Sequence, residues 1–403
     1  MPWKVSTHVK ERARFIEAWL EGEHPSMAAL CIEFGISRKT GYKWVSRFKE
    51  GGLQGLHDRS KRFKRHPNTT PQEVVDIIVG ARKRHPTWGP KKIHTWLERR
   101  GEQVPAVSTV GEILRREGMV VKRRRKPRPG EYSNGLSAQD KPNAVWGADF
   151  KGWFRLASGG QKCYPLTISD GYSRFLLRCE ALRHADELAC RKVFDEAFVE
   201  FGLPETIRTD NGTPFSAVYG VSALSVWWVK LGIRPERITR GRPTTENGRH
   251  ERIHRTLQGD VINAGRVRRT MLAQQRVFDG FRAEYNLERP HEALDMRTPS
   301  TAYEASSRRY PTKLRSPEYG DDWEVYRVRR DGSIIIPGRI LPLSKVLAGE
   351  PVGLRLQDDG SHTIAYGPLV LGTLTSAGRP NRGSRKSRRQ RSPDDPSNEI
   401  PTG

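Results

Sequence analysis

Cysteine is scarce, with four in 403 residues (Cys31, Cys163, Cys179, Cys190), no C-x-x-C pair and no Cys/His alternation at zinc spacing. That excludes a disulfide-stapled scaffold and reads as reduced, mostly buried thiols of a cytosolic protein. Long apolar runs are also lacking. No stretch approaches the ~18 uncharged apolar residues of a membrane helix. The opening MPWKVSTHVKERARF has no signal-peptide core, so the expectation is a soluble, intracellular chain without a membrane partner. Acidic residues are in deficit, 46 against 71 Lys and Arg, for a formal charge of +25. The basic residues are spread along the chain and interleaved with aromatics, including 10 Trp, which favours nucleic acid over a membrane surface. A hydrophobic fraction of 35% and a length suited to about two or three domains allow real cores.

The first fifty residues read as helices. Ala13, Ile16, Trp19 and Leu20 form an apolar stripe, His24-Pro25 breaks it, and Ser26 caps SMAALCIEF. Gly35 permits a turn, Ser37 caps again, and RKTGYKWVSRF follows. A capped basic helix after a glycine turn is the layout of a helix-turn-helix. Arg38, Lys39, Tyr42 and Lys43 are its expected outward, DNA-reading face, with Trp44, Val45 and Phe48 inward. A second helical module runs from about 71 to 120. Thr70-Pro71 starts it, Pro90 opens WGPKKIHTWLERR, Gly101 closes that helix and Ser108 is expected to cap the third. Lys91 and Lys92 mark it as a second DNA-binding element. KRRRKPRPGEY follows, with Arg123, Arg124 and Arg125, and reads as an arm that neutralises phosphates.

From 143 the texture becomes strand-like. NAVWGADFKGWFRL, KCYPLTISD and SRFLLRCEAL read as three strands, followed by a helix over 186–201, a short strand ETIRTD and the turn Asn211-Gly212. A helix in SALSVWWVKLG, a strand in RPERIT and a helix in RHERIHRTLQGDVI complete a mixed α/β layer with helices on both faces. Residues 320–374 give about five short strands, read as a small β-barrel or sandwich. The Arg-, Ser- and Pro-rich tail is expected to be disordered.

Two acidic residues sit where chemistry is usually placed. Asp149 lies mid-strand between Ala148 and Phe150. Asp210 ends TIRTD, and ligands gather at the carboxyl ends of strands in such sheets. D-N-G is equally an ordinary turn, so Asp210 alone proves little. Clustered carboxylates repel unless a cation compensates them, and oxygen ligands without Cys suit Mg²⁺ or Mn²⁺. Two such ions can serve phosphodiester displacement, and in so basic a chain the phosphodiester is expected to be DNA.

VWGADFKGWF, IRTDNGTPF, LSVWWVKLGIRPERITRGRPTTENGRHERIHRTL and YNLERPHEALDMRTP, in that order, closely resemble bacterial insertion-sequence transposases of the DDE retroviral-integrase superfamily. The resemblance covers most of the chain. It implies an RNase H-like core, a DDE triad, Mg²⁺ (Mn²⁺ as substitute, two ions per site), and cleavage of the element's ends to 3′-OH followed by strand transfer. It also implies double-stranded DNA partners, both element ends and target, and at least a dimer on DNA, cytoplasmic and nucleoid-associated. The expected fold class is multidomain, α plus α/β plus β. Its parts are a helix-turn-helix domain at 1–52, a second helical module at 68–121 and a basic linker at 122–142. An RNase H-like mixed α/β core at 143–305, a small C-terminal β-barrel at 320–374 and a basic tail at 377–403 follow.

The third carboxylate is either Glu246 or Glu251. The family's usual gap after the second Asp selects Glu246, whereas its glutamate also lies just after an N-G, at the start of a helix ending in T-L, which selects Glu251. Helix geometry agrees with the second choice. Asn247-Gly248 breaks the chain, Glu251 falls in the first turn where the helix dipole favours its charge, and Ile253, Leu257 and Val261 supply the buried stripe. The catalytic and metal-binding set is therefore Asp149, Asp210 and Glu251. Lys151, Asn211, Arg242, Arg249, Arg252 and Arg255 are expected DNA contacts around them. His250 and His254 form an i, i+4 pair, but flanking arginines and the lack of a third soft ligand disfavour zinc. A nuclease of the same fold without strand transfer, and a DNA-binding regulator without chemistry, are the rival functions.

Overall fold

The computed structural model describes residues 8–59, 69–120, 136–157, 159–215, 221–238 and 248–374, with the backbone of 380–381. Arg123, Arg124, Arg125, Arg242, Glu246 and the remainder of the tail lie outside the described residues. The chain divides between Thr70 and Pro71 into two units, each with its own core.

In the first unit α1 (His8–Glu21), α2 (Met27–Glu33) and α3 (Arg38–Gly51) pack around Phe15, Ile16, Leu30, Trp44 and Val45. The expected caps form. Ser26 Oγ accepts from the Ala29 N–H at 3.3 Å and Ser37 Oγ from the Thr40 N–H at 3.2 Å, each satisfying an orphan donor of the first turn. The Arg12 guanidinium lies 3.9 Å from the Trp44 ring centroid and donates to Leu56 O at 2.7 Å, tying α1 to the end of the unit.

The second unit opens with α4 (Gln72–Arg84), α5 (Pro90–Glu98) and α6 (Val107–Arg116), closed over Ile78, Trp88, Ile93, Val110 and Ile113. Pro90 occupies the first turn of α5 as expected. Ser108 does not cap α6. The extended N-cap residue is Ala106, directly after Pro105, so the helix starts one residue before the serine. This module is fastened to the domain that follows. His85 Nδ1 lies 2.8 Å from Glu284 Oε1, Thr87 Oγ1 donates to Asp260 Oδ1 at 2.6 Å, and Trp96 Nε1 donates to Glu288 Oε2 at 3.3 Å.

The central sheet contains β1 (Val145–Phe150), β2 (Phe154–Arg155), β3 (Lys162–Asp170), β4 (Leu176–Leu182), β5 (Thr206–Thr209) and β6 (Arg234–Arg237). Its order is β4-β3-β1-β5-β6, with β2 on the start of β3; β1 is antiparallel to β3 and parallel to β5, and β6 is parallel to β5. Parallel neighbours need crossovers, supplied by α7 (Glu187–Phe201) and α8 (Ala223–Lys230). Side chains alternate along β1. Trp146 and Ala148 face the core of Phe194, Phe198, Trp227 and Trp228. The opposite face takes α9 (Gly248–Leu257) and α10 (Met271–Leu287), whose Ile253, Leu257, Phe278 and Phe281 pack with Cys163 and Cys179.

Seven short strands follow: β7 (Glu324–Arg327), β8 (Ser333–Ile336), β9 (Arg339–Pro342), β10 (Pro351–Leu356), β11 (His362–Tyr366), β12 (Leu369–Leu374) and β13 (Pro380–Asn381). The expected barrel is not closed. The order β13-β12-β11-β10-β7 is an open antiparallel sheet among the described residues, and β8 and β9 pair only with each other, which removes two strands that closure needs. All four cysteines are free and buried, and no helix among the described residues is long and apolar enough to cross a membrane.

Asp260 and Arg289 form a buried pair at 2.9 Å, joined by Thr87 from the helical module. Asp260→Ala strands a buried guanidinium, and the expected cost is about 3–5 kcal/mol in a urea unfolding curve. A change below about 1 kcal/mol contradicts the assigned role of this junction.

Candidate active site

The parallel pairing of β1 with β5 sets the first two acids side by side. Ala148 is the partner of Thr209; Asp149 follows on β1, and Asp210 is the first residue past β5. Side chains alternate along a strand, so Asp149 leaves β1 on the face covered by α9, and Asp210 follows one step past the end of β5. Each is half-buried. Asp210 folds back on its own loop, with Oδ1 accepting from the Gly212 N–H at 3.0 Å in an Asx-type turn. A Cβ on Gly212 would stand 2.9 Å from Asp210 Oδ2 and press on this carboxylate. Asn211 Nδ2 donates to Ile238 O at 2.7 Å, tying the loop to the end of β6. The D-N-G turn is thus both a turn and the mount of Asp210.

α9 lies on β1 because Gly147, two residues before Asp149, has no side chain. A Cβ there would be 3.1 Å from His250 Nδ1. Thr167 of β3, the register partner of Asp149, meets both histidines through its hydroxyl, 2.6 Å from His250 Nε2 and 2.8 Å from His254 Nε2. Ser169 Oγ lies 3.1 Å from His250 Nδ1, and His254 Nδ1 stands 3.9 Å from Asp149 Oδ2. Burial pushes the His250 imidazole down to about 4. It also holds His254 far below its ordinary range, assisted by His250 and by the positive charge of Lys151. Both rings are neutral near pH 7. The sequence displayed this pair through its i, i+4 spacing but not its role, because the partners Thr167 and Ser169 come from a strand about 80 residues earlier.

Glu251 is half-buried in the first turn of α9. Successive helical residues are separated by about 100°, which sets Glu251 roughly 60° from His254 and roughly 160° from Ile253. Ile253 packs toward β3 and β4. Glu251 therefore occupies the opposite flank of the helix, on the His254 side. Arg252 and Arg255 are exposed beyond it, and Arg249 donates to Gly171 O at 2.8 Å. Lys151 is half-buried just past β1. In the first unit Arg38, Lys39, Tyr42 and Lys43 are all exposed on α3, as the helix-turn-helix reading expects. Lys91 is exposed, whereas Lys92 is half-buried. Burial, with Arg289 next, pushes its pKa down to about 8, so it makes a poorer phosphate contact than its neighbour.

The chemistry of the donor set decides what this edge can hold. Asp149 and Asp210 offer only oxygen, the cysteines are locked in cores, and the two acids are adjacent in register, which fits a hard divalent cation. Among the described residues, however, no three His, Cys, Asp or Glu side chains gather closely enough to hold a metal ion.

Comparison with known proteins matches the same segments. An integrase core domain matches residues 139–243 and a second integrase core domain residues 231–299. A helix-turn-helix domain matches residues 11–64 and a homeodomain-like domain residues 40–114. The insertion element IS407 uncharacterized 31.7 kDa protein of Burkholderia multivorans is 27% identical over 251 residues, 62% of this chain and 87% of that protein. The insertion element IS476 uncharacterized 39.2 kDa protein of Xanthomonas euvesicatoria is 26% identical over 296 residues, 73% of this chain and 82% of that one. Integrase core and helix-turn-helix domains together with similarity to proteins of insertion elements support an insertion-sequence transposase of the integrase superfamily. Among solved structures, the HTLV-2 integrase catalytic core domain in complex with magnesium is similar to 41% of the transposase at 15% identity, with 98% of that chain covered and a TM-score of 0.32.

Gly212→Ala tests the mount of Asp210. The expected outcome is a protein that melts as the parent does but processes DNA several-fold more slowly, the scale of a shift of a few tenths of an ångström in a carboxylate that serves the reaction. Parental activity with Ala at 212 overturns the role of Gly212 as the mount of Asp210.

Proposed function

We propose that this transposase binds the terminal repeats of an insertion sequence, cleaves its ends to leave a 3′-OH and joins that end to target DNA. Asp149, Asp210 and Glu251 are the catalytic carboxylates and the ligands of two divalent cations, Mg²⁺ or Mn²⁺. The observation that carries this reading is the β1–β5 register, which makes Asp149 and Asp210 neighbours beneath a helix bearing Glu251 in its first turn. Bound there, the cations supply Lewis acidity at the scissile phosphodiester and compensate the negative charge that otherwise drives three carboxylates apart. The rest is the work of side chains. Asp149 sits on a rigid central strand and Asp210 on a loop pinned by Gly212 and Asn211, so the edge that receives the phosphodiester is fixed in advance. Glu251 comes from a different element, so its approach sets when the site is complete.

The exposed row Arg38, Lys39, Tyr42 and Lys43 on α3 supports reading of a DNA groove by the first unit, with phosphate contacts from Lys91, Arg252 and Arg255 in the second. Pairing two element ends requires more than one copy, so the working form is an oligomer on DNA.

Two glutamine substitutions separate the candidate third acids. Glu251→Gln is expected to lower end cleavage and joining roughly a thousandfold, the equivalent of several kcal/mol of lost transition-state stabilisation. Glu246→Gln is expected to stay within about threefold of the parent. The assay uses duplexes carrying the element's terminal sequence, one intact and one already ending in a 3′-OH. Joined products from the second duplex support strand transfer. Hydrolysis alone supports a nuclease, and full activity of Glu251→Gln overturns the assignment.

A further inference from the structure

The two buried histidines and Thr167 form a structure that the proposed chemistry does not use. Four contacts run in series from one side of the sheet face to the other. Ser169 Oγ to His250 Nδ1 is 3.1 Å, His250 Nε2 to Thr167 Oγ1 is 2.6 Å, Thr167 Oγ1 to His254 Nε2 is 2.8 Å, and His254 Nδ1 to Asp149 Oδ2 is 3.9 Å. Thr167 has one hydroxyl hydrogen and each neutral ring carries one N–H, so the direction of the series is constrained.

Three arrangements satisfy the short contacts. One has Thr167 donating to His250 Nε2, His250 donating from Nδ1 to Ser169 and His254 donating from Nε2, and it shares the fault of the first of the other two. In the first of those two, Thr167 donates to the Asp149 backbone carbonyl, 3.2 Å away, and both histidines donate to Thr167 from Nε2. His254 then turns the bare lone pair of Nδ1 to a carboxylate at 3.9 Å, which is repulsive in a buried setting. In the second, Ser169 donates to His250, His250 donates to Thr167, Thr167 donates to His254 over the shorter 2.8 Å contact, and His254 carries its hydrogen on Nδ1, facing Asp149. The three short contacts are then satisfied, and at 3.9 Å, beyond hydrogen-bond distance, the final N–H dipole favours the ionised acid electrostatically.

We infer that Ser169, His250, Thr167 and His254 are a one-directional hydrogen-bond relay that orients the Asp149 carboxylate for its cation, with His254 and Thr167 as positioning residues. The Oδ2 atom is held toward α9 by the His254 Nδ1–H dipole. The relay also fixes the roll of α9, since His250 and His254 are gripped by the same hydroxyl, and with it the flank on which Glu251 stands. The inference rests on Asp149 as a metal ligand.

The test uses the full chain and Mn²⁺ as probe, with binding read from the free-ion magnetic resonance signal and folding from thermal melts. Thr167→Val removes the hydroxyl at nearly constant shape, and Thr167→Ser keeps it. Expected are Mn²⁺ binding about tenfold weaker for Thr167→Val and unchanged within about twofold for Thr167→Ser, the scale of losing an outer support of a metal ligand. His254→Asn, which retains an N–H donor near the Nδ1 position, is expected to bind better than His254→Leu. This second pair decides the matter if Thr167→Val does not fold. Nitrogen-15 spectra of the histidines are expected to show the hydrogen on Nδ1 of His254 and on Nε2 of His250. Parental Mn²⁺ affinity in folded Thr167→Val and His254→Leu, or a His254 hydrogen on Nε2, overturns the relay. Asp149→Asn distinguishes the two levels. If it leaves Mn²⁺ binding intact, the metal assignment itself fails; if it abolishes binding while the relay variants do not alter it, only the relay fails.

Discussion

The parallel pairing of β1 with β5 is the constraint from which the rest of the site follows. Residues that follow Ala148 and Thr209 in register must lie together at one edge of the sheet, and those residues are two aspartates 61 positions apart in sequence. A one-residue slip would turn Asp149 or Asp210 to the opposite face, among Phe194, Phe198 and Trp228, where a lone carboxylate has no counterpart. The apolar content of that face therefore enforces the register, and the register places the acids. Hydrophobic packing on one side of the sheet specifies the chemistry available on the other.

The second requirement is a helix close enough to reach those acids. Gly147 supplies the space and the His250–Thr167–His254 contacts supply the polar adhesion, so α9 is held by specific hydrogen bonds where an ordinary helix would rest on apolar contacts alone. Ile253 and Leu257 hold the other flank in the core shared with α10. The helical module over 72–116 grips the far end of the same assembly through Glu284, Asp260 and Glu288. A module that contributes exposed basic residues is thus fastened to the helical layer behind the sheet.

Much of this was legible in the sequence because it is local. The alternation around Asp149, the caps at Ser26 and Ser37, the D-N-G turn and the stripe Ile253, Leu257 and Val261 each follow from neighbours within a few residues. What escaped was non-local. His85 meets Glu284 across 199 residues and Thr87 meets Asp260 across 173, and no periodicity announces such pairings. The histidine pair was visible as a spacing but not as a grip on Thr167. The barrel expected of the C-terminal strands is an open sheet with a separate hairpin, because turn signals give the number of short strands and not which of them pair. Ser108 lost its capping place to Ala106, and α6 begins two residues sooner than a serine cap would set it.

The central claim is that Asp149, Asp210 and Glu251 converge on a divalent cation when DNA is bound. The most direct measurement is the anomalous scattering of Mn²⁺ in crystals of the full chain with a paired element end. The account predicts manganese peaks with carboxylate oxygens of all three residues at about 2.0–2.3 Å, near the distances such hard cations take to oxygen. Manganese bound without Glu251, or held by a different set of side chains, would contradict it.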